Sequence, residues 1–140
     1  AIEGIPSAGF SLLDYNFDAD FTIARQVVRQ VVSRMLLDKM DPHTLLNVNI
    51  PKIVAKDFKG LKICRQAHAK WEEEFDHRQD PRGEDYYWMV GRFLNMDKGD
   101  DTDVAALRAG FASVVPVRFD LTDYTLRDKL LDTWKDIQIL

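Results

Sequence analysis

The most regular pattern in the sequence is an alternation of aromatic and charged residues on both sides of a turn, between Arg65 and Phe93. In the turn, Asp80 to Gly83, proline presets φ for the second position and glycine accepts the positive φ that follows. The pattern predicts two antiparallel strands of about ten residues, or about 33 Å each. Because an isolated two-stranded ribbon is only marginally stable, we expect this hairpin to project and its aromatic side chains to be covered. An ordinary hairpin folded back onto its own domain is the alternative.

Two segments have the period of an amphipathic helix. The first is capped by Asp20, ends at Asp41 and runs for about five turns. Its apolar positions are Phe21, Ala24, Val27, Val28, Val31, Val32, Met35 and Leu36. The second helix follows Asp120 to Asp123 and carries an apolar stripe made of Leu126, Leu130, Leu131 and Trp134. Because no apolar segment follows that stripe in this chain, we expect it to dock elsewhere or on a partner.

Four apolar runs predict buried strands, and the order strand, helix, strand indicates an α/β fold. The predicted strands are Ile5–Leu13, Leu45–Ile50, Leu61–Gln66 and Phe111–Val117. The first is typical of a strand buried on both faces, as in a parallel sheet. In the last, Pro116 indicates either a sheet edge or the end of the strand. Between the hairpin and this last strand, a short helix is predicted from Asp103 to Ala109, with Gly110 ending it.

The composition is that of a soluble globular domain with a hydrophobic core: 140 residues, 46% apolar and 30% charged. A net charge of −4, without a long basic run, argues against a nucleic-acid polymer as a partner. No apolar run approaches the about 18 residues of a transmembrane helix, so we expect no membrane partner. The single cysteine, Cys64, excludes an internal disulfide and indicates a reducing compartment. We therefore expect a cytoplasmic protein in which Cys64 is a small core side chain.

An acidic loop between the hairpin and the short helix is a candidate for chemistry. Its aspartates are Asp97, Asp100, Asp101 and Asp103. Their spacing does not fit a calcium-binding loop, which needs a glycine at the sixth position and a distant glutamate. The favoured interpretation is that Asp101 or Thr102 caps the short helix, whose N-terminal end attracts negative charge. Binding of a metal by this loop alone is the weaker alternative.

A second polar feature is the pair Asn47 and Asn49, which share one face of their strand. The two side chains either line a cleft or hydrogen-bond to a neighbouring loop, and the second interpretation is favoured. The three histidines are scattered, and the sequence has no glycine-rich phosphate loop, paired-cysteine metal pattern or nucleophilic serine elbow. The residues alone therefore predict an α/β domain with a protruding ribbon and no visible catalytic site.

Four segments resemble, in order and spacing, the SurE family of stationary-phase survival proteins, which are metal-dependent nucleoside monophosphate phosphatases. They are GIPSAGFSL at 4–12, LLNVNIP at 45–51, RQAHAKWEEEFDHRQDPRGEDYYWMVG at 65–91 and TDVAALRAGFASVVPVRFDLTD at 102–123. The resemblance implies that residues 1–140 are the carboxyl-terminal portion of a Rossmann-like, three-layer α/β domain with a long hairpin and a C-terminal helix. It also implies that the full-length protein hydrolyses 5′- or 3′-nucleotides.

The family resemblance further implies a divalent cation, Mg²⁺ or Mn²⁺, in the full-length protein. In the family, two adjacent aspartates, a serine and an asparagine of the amino-terminal half hold this cation, and no position of this sequence matches them. We therefore expect that half to be missing here, and we expect no catalytic residue, no metal ligand and no activity in this chain alone. Thr102 and Asp103 resemble the family's segment near the mouth of the active cleft and are candidates for its rim.

What the resemblance transfers to this chain is a role in assembly. It implies that the hairpin, residues 65–93, reaches another subunit of a homodimer or homotetramer, and that residues 121–140 pack across or swap onto a neighbouring subunit. The candidate interface residues are Trp71, Phe75, Tyr86, Trp88, Leu126, Leu130 and Trp134. Two functional hypotheses result. The chain is part of a nucleotidase that acts on nucleoside monophosphates, or it is an oligomerisation and scaffold module without catalytic activity of its own.

Overall fold

A computed structural model describes residues 1–135, which form a four-stranded mixed sheet and a separate two-stranded hairpin. The elements are β1 Ser7–Leu12, α1 Thr22–Leu37, β2 Leu45–Ile50, β3 Leu61–Ile63, β4 Ala69–Gln79, β5 Asp85–Asn95, α2 Asp103–Arg108, β6 Ala112–Val117 and α3 Tyr124–Thr133, with a 3-10 turn at Ala55–Asp57. The larger sheet has the order β1-β2-β6-β3. The α/β class predicted from the order of the elements is confirmed.

The last strand of the chain, β6, lies inside the sheet and has neighbours on both sides. β2 pairs with it in antiparallel orientation, with Val48 opposite Val114, and β3 pairs in parallel, with Ile63 opposite the same Val114. β1 and β3 are the two edge strands, and β1 pairs in parallel with β2. Pro116 lies opposite Leu46 near the end of β6. Of the two places predicted for Pro116, the strand end is therefore correct and the sheet edge is wrong.

One face of this sheet packs against α1 and forms the main core. The buried side chains are Ile23, Ala24, Val27 and Val31 of the helix, and Leu46, Val48, Ile50, Ala112 and Val114 of the sheet. Val27 and Val48 at its centre are 0% exposed. Because β-branched residues lose side-chain freedom in a helix, burial of this face must stabilise α1.

The predicted first helix is correct in position but not in its ends or in its whole apolar face. Asp20 Oδ1 accepts a hydrogen bond from the Thr22 N–H at 2.8 Å, although Phe21 occupies the N-cap position. The helix ends at Leu37, before Asp41. Three residues of the predicted apolar face are exposed, namely Phe21, Val32 and Leu36. A helix buries a stripe of about 100° against one sheet, and the predicted set of apolar positions is wider than that.

The prediction that the first strand is buried on both faces is wrong. Phe10 of β1 packs against the core, whereas Gly9 and Ser11 are exposed on the opposite face. The short helix α2 covers that opposite face only further along the sheet, where Ala106 packs with Cys64. A strand is buried twice only where both faces of its sheet are covered. Cys64 itself is buried, as predicted, and its burial raises the pKa of the thiol.

The hairpin is a sheet of its own, with 11 residues in each of β4 and β5. Gly83 has a φ of +85° and its N–H donates to the Asp80 carbonyl oxygen at 3.0 Å, which confirms the predicted turn. The strands begin at Ala69 and end at Asn95, so residues 65–68 form the root of the hairpin and not part of β4.

The final helix, α3, is capped by Asp123, whose Oδ1 accepts a hydrogen bond from the Leu126 N–H at 2.9 Å. None of its residues is buried within the chain. Residues 136–140 of the predicted terminal segment lie outside the described residues. In the part of the chain that the structure describes, no helix is long and apolar enough to cross a membrane.

We expect the substitution Ile50→Ala to lower the free energy of unfolding by about 2–5 kcal/mol, because it leaves a cavity in the core. Ile50 is 1% exposed, whereas Ile63 in β3 is 69% exposed. Ile63→Ala is therefore the matched control, with an expected loss below about 1 kcal/mol. Urea unfolding of the whole protein measures both values. Equal losses for the two variants would contradict the described core.

Candidate functional site

The acidic loop, residues 95–103, lies beside the residues that lead into the hairpin, and we call it the root loop. Arg65 forms an isolated parallel bridge with Thr102. The Arg65 N–H donates to the Asp101 carbonyl oxygen at 3.2 Å, and the Asp103 N–H donates to the Arg65 carbonyl oxygen at 3.0 Å. This pairing brings the aspartates of the root loop to the side chain of Arg65.

The Arg65 guanidinium binds two of these aspartates. Nη1 and Nη2 donate to Asp97 Oδ2 and Oδ1 at 2.5 and 2.9 Å, and Nε donates to Asp101 Oδ2 at 2.9 Å. Arg65, followed by the N–H groups of Gly99 and His68, holds the pKa of Asp97 well below its usual range. In return, the Asp97 and Asp101 carboxylates raise the pKa of Arg65. The guanidinium and the Asp97 carboxylate are therefore charged at neutral pH.

The carboxylates of the root loop do not fit a divalent cation. Asp97 is engaged by the Arg65 guanidinium and by two backbone N–H groups, and Asp103 Oδ1 accepts hydrogen bonds from the Ala67 and Val104 N–H groups at 2.9 and 2.8 Å. Within residues 1–135, no three histidine, cysteine, aspartate or glutamate side chains are placed to hold a metal ion. The alternative that this loop binds a metal by itself has no support in this arrangement.

Thr102 and Asp103, the predicted rim residues, both serve the start of α2. Thr102 Oγ1 accepts a hydrogen bond from the Ala105 N–H at 3.2 Å and donates to the Gly99 carbonyl oxygen at 3.3 Å. Of the two predicted caps, Thr102 is therefore the correct one, and its side chain is fully buried. Gly110, with a φ of +89°, follows the helix end as predicted. The position of this segment at the rim of an active cleft stays a prediction.

A strip of polar side chains crosses the sheet face opposite α1. Asn49 lies between Ser11 of β1 and Ser113 of β6, and Asn47 lies opposite Gly9. No hydrogen bond to a described residue supports the favoured interpretation that these side chains bond to a neighbouring loop, and it stays a prediction. Ser113 Oγ is buried without a hydrogen-bond partner among residues 1–135. Sequence reasoning missed both serines, although each lies at an alternate position of a predicted strand.

The register of the hairpin separates the predicted interface residues onto two faces. Trp71 and Phe75 lie on one face, which we call the aromatic face, opposite Phe93 and Met89 respectively. The Trp71 and Phe93 rings meet edge to face, with centroids 5.7 Å apart. His77 stacks on Tyr87 further along the same face. Sequence reasoning missed Tyr87, Met89 and Phe93, which only the cross-strand register identifies.

The other two predicted hairpin residues, Tyr86 and Trp88, lie on the opposite face among charges. Trp88 is opposite Asp76 and Tyr86 is opposite Arg78, whose guanidinium lies 5.8 Å from the Trp88 ring centre. Further along this face, Arg92 binds the carboxylate of Glu72. In the final helix, Leu126 and Trp134 are exposed and Leu130 is half-buried. The structure does not bring these helix residues and the hairpin residues together.

The fold defined here is a mixed α/β sheet with a long hairpin of its own, and known proteins share it. A family model described as "Survival protein SurE" matches residues 1–73. The 5′-nucleotidase SurE of Christiangramia forsetii is 53% identical over 121 residues, which are 86% of this chain and 46% of that protein. The 5′-nucleotidase SurE of Cytophaga hutchinsonii is 50% identical over 137 residues, or 98% of this chain and 53% of that protein.

A solved structure shows the same arrangement of elements. The crystal structure of the SurE protein from Aquifex aeolicus superposes with a TM-score of 0.70 and 31% sequence identity, covering 92% of this chain and 52% of that one. The chain belongs to the SurE family, and the predicted SurE-like fold is confirmed. It spans about half the length of the curated relatives it matches.

We expect Asp97→Asn to destabilise the protein at neutral pH and to have a smaller effect in acid. The folded-state pKa of Asp97 is depressed. Its contribution is therefore present above the unfolded-state value of about 3.9 and is lost as the pH falls through the lower folded-state pKa. Urea unfolding should show equal differences from the wild type at about pH 7 and 5 and a smaller one at about pH 3.

The control for this experiment is Asp100→Asn in the same loop. The Asp100 backbone carbonyl accepts a hydrogen bond from Lys62 Nζ, and substitution of the side chain leaves that bond in place. We expect little change in stability from it at any of these pH values. A difference between wild type and Asp97→Asn that stayed constant down to about pH 3 would contradict the depressed pKa.

Proposed function

We propose that the whole protein carrying this chain is a metal-dependent 5′/3′-nucleotidase that hydrolyses nucleoside monophosphates. The observation that supports this proposal is the identity of 50–53% with proteins named 5′-nucleotidase SurE, over 86–98% of the chain. The fold alone would not support this activity, since one fold serves many functions, and the proposal therefore rests on the sequence identity.

The proposal includes a divalent cation, Mg²⁺ or Mn²⁺, that is held by residues outside this chain. Its support is the use of the carboxylates already described: Asp97 and Asp101 neutralise Arg65, and Asp103 binds backbone N–H groups. A carboxylate that binds a guanidinium in two places has few lone pairs left for a cation. This chain would then contribute architecture to the enzyme, with Thr102 and Asp103 at the rim of its cleft.

We expect the isolated chain to release no inorganic phosphate from nucleoside monophosphates, because the proposed cation ligands are absent from it. The whole protein should release phosphate with Mg²⁺ or Mn²⁺, lose that activity in EDTA and regain it when the cation is restored. Phosphate release measured with each of the four nucleoside monophosphates tests both expectations. Metal-dependent hydrolysis by residues 1–140 alone would overturn the placement of the site.

We also propose that this chain supplies the contacts between subunits of a homodimer or homotetramer, through the hairpin and the C-terminal segment. The support is apolar surface on the hairpin that this chain leaves exposed: Trp71 and Phe75 are each 65% exposed and Met89 is 67% exposed. Large apolar side chains exposed close together on one face are typical of an interface between proteins. The exposed apolar residues of α3 support the same proposal for the C-terminal segment.

Substitution of Phe75 by alanine should weaken association of the subunits. Truncation of one aromatic residue at the centre of an interface costs about 2 kcal/mol, which corresponds to a dissociation constant about 30-fold higher. Phe17→Ala is the control, because Phe17 is fully exposed on a loop outside the hairpin. Sedimentation equilibrium of the whole protein measures the constant. Equal association of the two variants would argue against the hairpin as the contact.

A further inference from the structure

Within residues 1–135, the hydrogen bonds between the hairpin and the rest of the chain lie at its root. Asn95 is the residue of the range 69–95 that hydrogen-bonds to a described residue outside it, because its Oδ1 accepts from the Asp97 N–H at 2.9 Å. Just before and after this range, the Met96 N–H donates to the His68 carbonyl oxygen at 3.0 Å. The side-chain bonds further out, such as that of Arg92 to Glu72, join the two strands to each other. The direction of the hairpin is therefore decided at residues 65–68 and 95–103.

At the root of the hairpin, aspartate carboxylates accept the backbone hydrogen bonds that a neighbouring strand would accept within a sheet. Asp97 Oδ2 accepts a hydrogen bond from the His68 N–H at 3.1 Å, and Asp103 Oδ1 accepts one from the Ala67 N–H at 2.9 Å. These two N–H groups belong to the residues that immediately precede β4. The entry of the hairpin is thus fixed to the loop that leads from β5 to α2.

Arg65 joins the two carboxylates of this loop that lie nearest to it. The bonds to Asp97 are bidentate, and a third bond reaches Asp101 on the other side of Gly99. A planar guanidinium with parallel bonds to a carboxylate fixes orientation as well as distance. The side chain therefore holds the start and the end of the root loop together.

Gly99 is an independent sign that the root loop packs closely around the Arg65 guanidinium. A Cβ placed on Gly99 would overlap Arg65 Nη2 and would lie 2.6 Å from Asp101 Oδ1. The φ of Gly99 is not in the left-handed region, and a Cβ here would meet the ends of the Arg65, Asp101 and Asp97 side chains, which would have to shift. At Gly99, the backbone of the root loop therefore lies close to the Arg65 guanidinium.

We propose that Arg65 is a positioning residue. It holds the hairpin root and the start of α2 as one rigid unit and so fixes the direction of the hairpin relative to the sheet. At about 3.3 Å per residue, a strand of 11 residues is about 36 Å long, so a rotation of about 10° at the root moves the turn by about 6 Å. The proposal rests on the proposed function in one respect: the partner that receives the hairpin is a second copy of the protein.

A distance measurement in the whole protein tests this directly. Spin labels are placed at Arg82→Cys in the turn and at Arg29→Cys on the exposed side of α1, in a background that lacks Cys64 and any other cysteine. Labelled subunits are diluted with unlabelled ones, so that double electron–electron resonance reports the distance within one subunit. We expect a narrow distribution with Arg65 present, and in Arg65→Ala a distribution broadened or shifted by about 5 Å or more.

The matched control is Arg92→Ala, which removes an exposed arginine that binds Glu72 within the hairpin. It should leave the distribution as narrow as in the wild type. Arg65→Lys keeps the charge but cannot make the bidentate contact, so we expect it to resemble Arg65→Ala. A narrow, unmoved distribution in Arg65→Ala would overturn the proposal, even if the variant were less stable, because a purely stabilising role does not require the turn to move.

If Arg65→Ala fails to fold, Gly99→Ala is the second test of the proposal. Its methyl group would overlap Arg65 Nη2 and displace the guanidinium, while every charge remains. A broadened distribution in Gly99→Ala supports the positioning role, and an unchanged one overturns it. Sedimentation of Arg65→Ala and the wild type then shows whether the direction of the hairpin affects assembly: Arg65→Ala should associate about tenfold more weakly. A monomeric wild type would refute the proposed assembly, while the distances would still decide the role of Arg65.

Discussion

The burial of β6 between β2 and β3 is the constraint on which the rest of the structure depends. Ala112 to Val115 are all buried, because α1 covers one face of this strand and α2 covers the other. β3 is short and is held by its parallel pairing with β6. The chain continues from β3 directly to Arg65, and α2 leads directly into β6. The hairpin root and the root loop are therefore brought together by the same central strand.

The hairpin is stabilised by a different set of interactions from the sheet. The sheet has a buried hydrophobic core on one face, whereas the aromatic side chains on both faces of the hairpin are exposed in this chain. Cross-strand pairs such as Trp71 with Phe93 stabilise the hairpin on the aromatic face, and an ion pair joins Glu72 to Arg92 on the opposite face. Exposed ion pairs contribute little. A ribbon of this kind depends on its root for direction and on a partner for coverage of its aromatic face.

The two proposals place catalysis and the contacts between subunits in different parts of the protein. The root loop holds several carboxylates, but within residues 1–135 no three histidine, cysteine, aspartate or glutamate side chains are placed to hold a metal ion. The relatives named 5′-nucleotidase SurE are about twice as long as this chain. A catalytic site in the remaining length of the protein, with assembly surfaces in this part, is consistent with both observations.

The sequence by itself determined the features that depend on near neighbours: the turn at Asp80 to Gly83, a helix cap at Asp101 or Thr102, and the position of α1. The tertiary structure alone decided that Arg65 binds Asp97, 32 residues away, and that the hairpin aromatics divide between two faces. The physical reason is that period, capping and turn rules act over a few residues, whereas strand register and ion pairing depend on which distant segment folding brings alongside.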